Sequence, residues 1–113
     1  MKSKILALSK NEEFKKLLKK KKVSNKYVTI FFGYLEKKNI QRLNISFVTK
    51  KKLGNAVKRN KIKRRLRNIM NDAIKKVSIK FDYSYLVIAK PTMLNSDFKN
   101  IKETLFREFK RIK

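Results

Sequence analysis

The chain has no cysteine and no histidine. Without cysteine there can be no disulfide, no thiol nucleophile and no thiolate metal site. Without histidine the usual general base near neutral pH and the commonest metal ligand are both missing. Two glycines and one proline leave little that reads as linker. No apolar run approaches the roughly eighteen residues needed to cross a membrane. The stretch from Met1 to Ser9 begins basic, but its apolar part is short and Asn11, Glu12, Glu13 and Phe14 follow at once. That is a poor secretory signal, so a cytoplasmic protein is expected. Acids are also scarce: eight Asp plus Glu stand against 33 Lys plus Arg, a formal net charge of +25. Apart from the Glu12-Glu13 pair the acids are dispersed, so neither a protein-borne general base nor a carboxylate cluster for a metal is expected.

What is present is a folded, strongly cationic chain. Its 113 residues suit one domain, taken as 1–113. A hydrophobic fraction of 42%, with eight Phe and four Tyr, supplies a core that a disordered basic tail would lack. The charge calls for a polyanionic partner. A Lys-rich proteome would explain part of the lysine excess, but not the shortage of acids.

Periodicity divides the chain. Ser9 is a plausible N-cap with Glu12 as its capping-box partner, and Phe14, Leu17 and Leu18 recur on one helical face. The Lys19 to Lys22 run is read as that helix's end and the following loop. Lys26 to Phe32 is β-branched and aromatic, a strand with Tyr27, Thr29 and Phe31 on one face and Val28, Ile30 and Phe32 on the other. Glu36 to Asn39 reads as a turn. A second strand runs from about Asn39 or Ile40 to Val48, in position to pair antiparallel with the first. Lys50 to Asn55 is a basic loop. From Ala56 a 3.6-residue period returns, with Ile62, Leu66, Ile69, Met70, Ala73 and Ile74 in one stripe ending near Lys76. Tyr83 to Ala89 is a strand stopped by Pro91. Asn95 or Ser96 would cap a last helix with Phe98, Ile101, Leu105, Phe106 and Phe109 facing the core. The order α-β-β-α-β-α, with room for one more short strand, implies helices covering a three- or four-stranded sheet.

The densest functional feature is Gly54 to Asn68. At about 100° per residue, Arg59, Lys63 and Arg67 follow one border of the apolar stripe, and Lys61, Arg64 and Arg65 occupy the outer surface. Such crowding of like charge is destabilising on a helix, and a phosphate partner reverses the cost. An ordinary solvated face would intersperse acids, yet none occurs between Glu36 and Asp72. Phe14, Leu18, Tyr27, Thr29 and Phe31 would form a shallow cleft between the first helix and the sheet, suited to an extended single strand. The same aromatics would equally serve as core.

The segment Lys51-Lys52-Leu53-Gly54-Asn55-Ala56-Val57-Lys58-Arg59-Asn60-Lys61-Ile62-Lys63-Arg64-Arg65-Leu66-Arg67 resembles the signature of the bacterial ribonuclease P protein component. That family runs Lys-Lys-x-Gly-x-Ala-Val-x-Arg-Asn-Arg-(Val/Ile)-Lys-Arg-x-(Leu/Ile)-Arg. Leu8 to Phe14 resembles its opening helix start, and Tyr85 to Lys90 its last strand. The resemblance implies an α/β (α+β) sandwich like domain 2 of ribosomal protein S5, with a left-handed β-α-β crossover. It also implies the protein subunit of a ribonucleoprotein endonuclease that removes the 5′ leader from precursor tRNA. The active site, and the Mg²⁺ it uses, would belong to the RNA subunit. The expected partners are that catalytic RNA and precursor tRNA, with no membrane and no DNA.

By the same resemblance, Lys51, Lys52, Lys58, Arg59, Asn60, Lys61, Lys63, Arg64 and Arg67 would contact the catalytic RNA. Phe14, Leu18, Thr29 and Phe31 would line the cleft for the single-stranded leader, and no residue would be catalytic or hold metal. The chain departs from the pattern in places. Lys61 replaces an Arg, with charge kept and fork geometry lost. An extra Lys precedes Lys51-Lys52. Asn44 to Thr49 lacks the family's Gly and closing Ser, Leu18 stands where an aromatic is common, and Lys19 to Lys22 lacks the usual Gly. The residues alone leave two other readings: a ribosomal or general RNA-packaging protein, which would bind precursor and mature tRNA equally, and, more distantly, a DNA-binding regulator.

Overall fold

The computed structural model describes residues 5–8, 12–35 and 42–112. The elements are β1 (Ile5–Leu6), α1 (Glu12–Leu18), β2 (Lys21–Ser24), β3 (Val28–Tyr34), β4 (Leu43–Val48), α2 (Ala56–Lys76), β5 (Tyr83–Ala89) and α3 (Phe98–Arg111), with short 3₁₀ turns at Lys51–Leu53 and Pro91–Leu94. The strands make one mixed sheet in the order β1-β4-β5-β3-β2. The fold is therefore α+β, with helices on both faces of the sheet. The expected Ser9 cap, the Glu36 to Asn39 turn and the start of the second strand before position 42 lie outside the described residues.

Three expectations about the sheet need correction. The sheet has five strands, because Ile5–Leu6 and Lys21–Ser24 both join it. Lys21 and Lys22 were expected in a loop, but they belong to an edge strand paired with Phe32 and Phe31. Lysine on an edge discourages further strand addition and erases the apolar alternation that marks a strand. The strands β3 and β4 do not pair with each other. Strand β5 lies between them, antiparallel to β3 and parallel to β4. Its run Tyr83-Ser84-Tyr85-Leu86-Val87-Ile88-Ala89 is buried on both faces, which suits a central strand and not an edge.

The principal core lies on one face. Val28, Ile30, Phe32, Leu43, Ile45, Tyr85 and Val87 meet Ile62, Leu66, Ile69, Met70 and Ala73 of α2 and Ile101, Leu105 and Phe109 of α3. The long helix runs from Ala56 to Lys76, as its apolar stripe predicts, with Ile74 half-buried at the margin. Helix α3 begins after Asp97, not Asn95 or Ser96; the Ser96 hydroxyl donates back to the Thr92 carbonyl instead. Phe98, expected in the core, is exposed, and Phe106 is half-buried. The additional lysine before Lys51 disturbs no pairing. The β4–β5 register is continuous from Asn44↔Ser84 to Val48↔Ile88, and the lysine run follows the end of the strand.

Candidate nucleic-acid interface

The basic helix is started by two residues that the charge pattern had submerged in a loop. Asn55 is the N-cap, and its Oδ1 accepts from the Lys58 backbone N–H at 3.0 Å. Gly54 turns the chain into that cap at φ 126°, where a Cβ would also come within 2.9 Å of the Lys58 stem. The first turn of α2 carries no acid, so the helix's positive end adds to the charge of Lys51 and Lys52, both exposed on the preceding 3₁₀ turn.

Along α2 the cations flank the buried stripe on both sides. Arg59, Lys63 and Arg67 follow one border. Lys63 and Arg67 are exposed, whereas Arg59 is half-buried with its Nε shielded from solvent and lacking a hydrogen-bond partner among the described residues. Lys58, Lys61 and Arg65 follow the other border, lining a groove of about 260 Å³ with Met93, Leu94 and Asn95. Asn60 and Arg64 point outward between them and are exposed. None of Lys58, Arg59, Lys61, Lys63, Arg64 or Arg67 is in an ion pair among the described residues. The first carboxylate on α2, Asp72, is engaged by Lys102 of α3 at 2.7 Å.

Strand pairing builds the second part of the site on the opposite face of the sheet. One row across that face is Ser24, Thr29, Ile88 and Val48, and the next is Lys22, Phe31, Leu86 and Ser46. Helix α1 covers only part of it. Leu17 packs with Leu8, Leu35 and Leu86 in a small second core, and Phe14, Phe31, Val48 and Ile88 remain half-buried around it. Phe14, Phe31 and Thr29 thus share one surface, while Leu18 is 49% exposed and outside that cluster. Cations rim the surface: the Lys22 ammonium stands 6.0 Å from the Phe31 ring centre, and the Lys90 ammonium donates to Ser24 Oγ at 2.7 Å. Sequence reading missed Lys22, Val48, Ile88 and Lys90. Their membership depends on cross-strand register, which no local pattern carries.

The two parts meet at the edge of β4. Among the described residues β1 pairs only with Leu43 and Asn44, and beyond it the Leu8 backbone N–H donates to Ser46 Oγ at 2.8 Å. The space left there is an open cavity of about 490 Å³, walled by Phe14 and Val48 on one side and by Lys63 and Arg67 of α2 on the other. Thr49, whose buried hydroxyl has no partner among the described residues, lies at the same edge. The arrangement can hold a flexible polyanion by its phosphates and flank it with aromatic and aliphatic surface. Among the described residues no three acidic side chains come together. No helix among these residues is long and apolar enough to cross a membrane.

A family model described as "Ribonuclease P" matches residues 3–113. The chain is 34% identical to the ribonuclease P protein component of Bacillus pumilus over 105 residues, covering 92% of this chain and 85% of that protein. It is 36% identical to the corresponding protein of Mesoplasma florum, with coverages of 85% and 86%. Among solved structures, the RNase P protein from Thermotoga maritima superposes with a TM-score of 0.80 at 25% identity, covering 96% of this chain and 98% of that one. The Staphylococcus aureus RNase P protein gives 0.76 at 26% identity, with coverages of 94% and 93%.

Proposed function

The chain belongs to the ribonuclease P protein family, and from that membership we propose how its surface divides the work of the protein subunit. It is the non-catalytic protein subunit of an RNA-based endoribonuclease that acts with its RNA to remove the 5′ leader of precursor tRNA. In our reading, Lys51, Lys52, Lys58, Arg59, Asn60, Lys61, Lys63, Arg64 and Arg67 hold the catalytic RNA. Phe14, Thr29 and Phe31 hold the unpaired leader, and Leu18 forms the outer lip of that cleft. The protein acts in the cytoplasm as one domain over residues 1–113. The parallel β4–α2–β5 connection is where the left-handed crossover of an S5 domain 2-like sandwich belongs.

One observation carries this reading: the cavity at the β4 edge has Phe14 and Val48 on one wall and Lys63 and Arg67 on the other. A strand leaving the aromatic face therefore runs directly onto the basic helix. The chemistry supplied is electrostatic. The cations screen repulsion between two RNAs, and the cleft adds contacts that only a substrate with a leader can make, so precursor is bound in preference to mature tRNA. If six to ten phosphates are contacted, affinity falls roughly a thousandfold or more between about 50 and 200 mM monovalent salt. Mg²⁺, held by the RNA subunit, supplies the hydrolytic chemistry, and this chain's part is to bind and orient.

The test is cleavage of a 5′-extended precursor tRNA at low Mg²⁺ by the cognate catalytic RNA with and without this chain, and by the chain alone. Stimulation is expected only with both together, and it should weaken in Arg59→Ala/Lys63→Ala. Equal binding of precursor and mature tRNA, with no stimulation, would favour the packaging role.

A further inference from the structure

A second aromatic and cationic surface lies at another corner of the sheet, away from the cleft. Tyr34 ends β3 and is paired with Tyr83 at the start of β5. By alternation both belong to the face of Phe32 and Tyr85, opposite to the face of Phe31. Tyr83 is buried, in contact with Phe32 at 5.5 Å between ring centres. Against it stands Tyr34, edge-on at 4.7 Å and 64°, with 56% of its own surface exposed. The result is a solvent-facing ring held in place by a buried aromatic base.

The surroundings are uniformly cationic. Lys19, Lys20 and Lys21 line an open cavity of about 420 Å³ with Phe32, Gly33, Tyr34 and Tyr83. Lys16 and Leu35 continue it in an adjoining hollow that shares Tyr34. The Lys80 ammonium stands 5.3 Å from the Tyr83 ring centre. No carboxylate lines either hollow among the described residues. Gly33 is what lets Lys20 approach: a Cβ there would meet the Lys20 stem at 3.0 Å. An exposed aromatic ring beside Lys16, Lys19, Lys20 and Lys21, none in an ion pair among the described residues, fits a partner with phosphates and a flat, stackable group on the same molecule.

We propose that this corner binds a second, unpaired RNA segment, with a base stacked on Tyr34 and its phosphates against Lys16, Lys19, Lys20 and Lys21. A duplex would satisfy the lysines but present no free base face to the ring. An acidic peptide would do the same without a stacking group. The site does not depend on the cleft assignment, since it shares no residue with Phe14, Thr29 or Phe31.

The test uses the full chain and an unstructured oligouridylate of about twelve nucleotides carrying 4-thiouridine, with photo-crosslinks mapped by mass spectrometry. Phe31→Ala serves as a background that removes the cleft contact. Crosslinks at Tyr34 are expected in the parent chain and in Phe31→Ala. Adding Tyr34→Leu to that background should remove them and weaken binding about tenfold, the worth of one base–aromatic stack. Tyr34→Phe should retain both. Because Tyr34 is more than half exposed, Tyr34→Leu should leave the circular dichroism spectrum unchanged and lower the melting temperature only slightly, through loss of the ring contact with Tyr83. A duplex of equal length should bind with no dependence on Tyr34. Unchanged oligouridylate affinity in Tyr34→Leu, or equal dependence of duplex binding on Tyr34, would overturn the proposal. Binding of polyglutamate with the same Tyr34 dependence would replace it with a protein partner. If Phe31→Ala left oligouridylate binding unchanged while Tyr34→Leu weakened it, the leader cleft would fail and this site would be supported.

Discussion

The two faces of the sheet are made by the same alternating strands yet end in different states. On one, helices of 21 and 14 residues close over Ile30, Phe32, Ile45 and Tyr85 and leave almost nothing in contact with water. On the other, a seven-residue helix covers Leu86 and leaves Phe31, Val48 and Ile88 half-open. The length of the covering helix thus decides which apolar row becomes core and which stays half-open. Helix α2 belongs to both sides of the contrast, since its buried stripe closes the core and its flanks carry the cations.

The largest effect should come from separating those two duties of α2. Neutralising Arg59, Lys63 and Arg67 together with glutamine should weaken binding to the catalytic RNA at least a hundredfold, taking about 1 kcal/mol or more for each charged contact. The slope of log affinity against log salt should become shallower by about two to three. The unfolding midpoint should hold or rise, because like-charge crowding is relieved while Ile62 and Leu66 are untouched. Filter binding across a salt series and a thermal melt check both halves.

The complementary change acts on the stripe. Leu66 is fully buried, so Leu66→Ala should cost about 3 kcal/mol of stability in urea unfolding, with RNA affinity per folded molecule preserved. If affinity per folded molecule fell along with stability, core and binding surface would not be separable on this helix.

A smaller effect tests the open face. Phe31→Leu keeps an apolar side chain at a half-buried position, so stability should change by no more than about 1 kcal/mol. The preference for precursor over mature tRNA should fall about tenfold, the loss of one stacking contact. An unchanged preference would make Phe31 a core residue and remove it from the cleft.

These contrasts were unevenly legible in the sequence. Helix α2 could be read almost to the residue, because a stripe from Ile62 to Ile74 repeats over several turns between the return of the helical period at Ala56 and the lysines ending at Lys76, although the Gly54-Asn55 cap itself was hidden in the basic loop. Strand β5 was equally clear, as a β-rich run stopped by Pro91. What failed was pairing. Placing β5 between β3 and β4 depends on contacts far apart in the chain, and local alternation is the same whichever neighbour a strand takes. Strand β2 was hidden because Lys21 and Lys22 carry edge protection and no apolar signal. For the site, the cations of α2 were explicit in spacing, whereas Val48 and Ile88 joined Phe31 only through register. Tyr34 was passed over because, taken singly, an aromatic at a strand end reads as core.

The smallest effect concerns the tie between α2 and α3 behind the binding flank. The Asp72 carboxylate accepts from the Lys102 ammonium at 2.7 Å. That hydrogen bond, with the charge of Lys102, holds its pKa below the ordinary 3.8, and Lys76 and Lys75 add to the effect. A carboxyl depressed in the folded chain contributes stability that is present above its unfolded value and disappears as pH falls through the folded one. Asp72→Asn should therefore lower the melting temperature slightly near neutral pH, with the difference from the parent vanishing as pH falls below the depressed pKa of the folded chain. The partners are partly exposed, at 26% and 43% side-chain accessibility, so the effect should be modest and should shrink with added salt. Removing an acid from a chain of net charge +25 also raises general repulsion. A cycle with Lys102→Met separates the two causes: a specific pair makes Asp72→Asn nearly silent in the Lys102→Met background, whereas general repulsion leaves its cost unchanged.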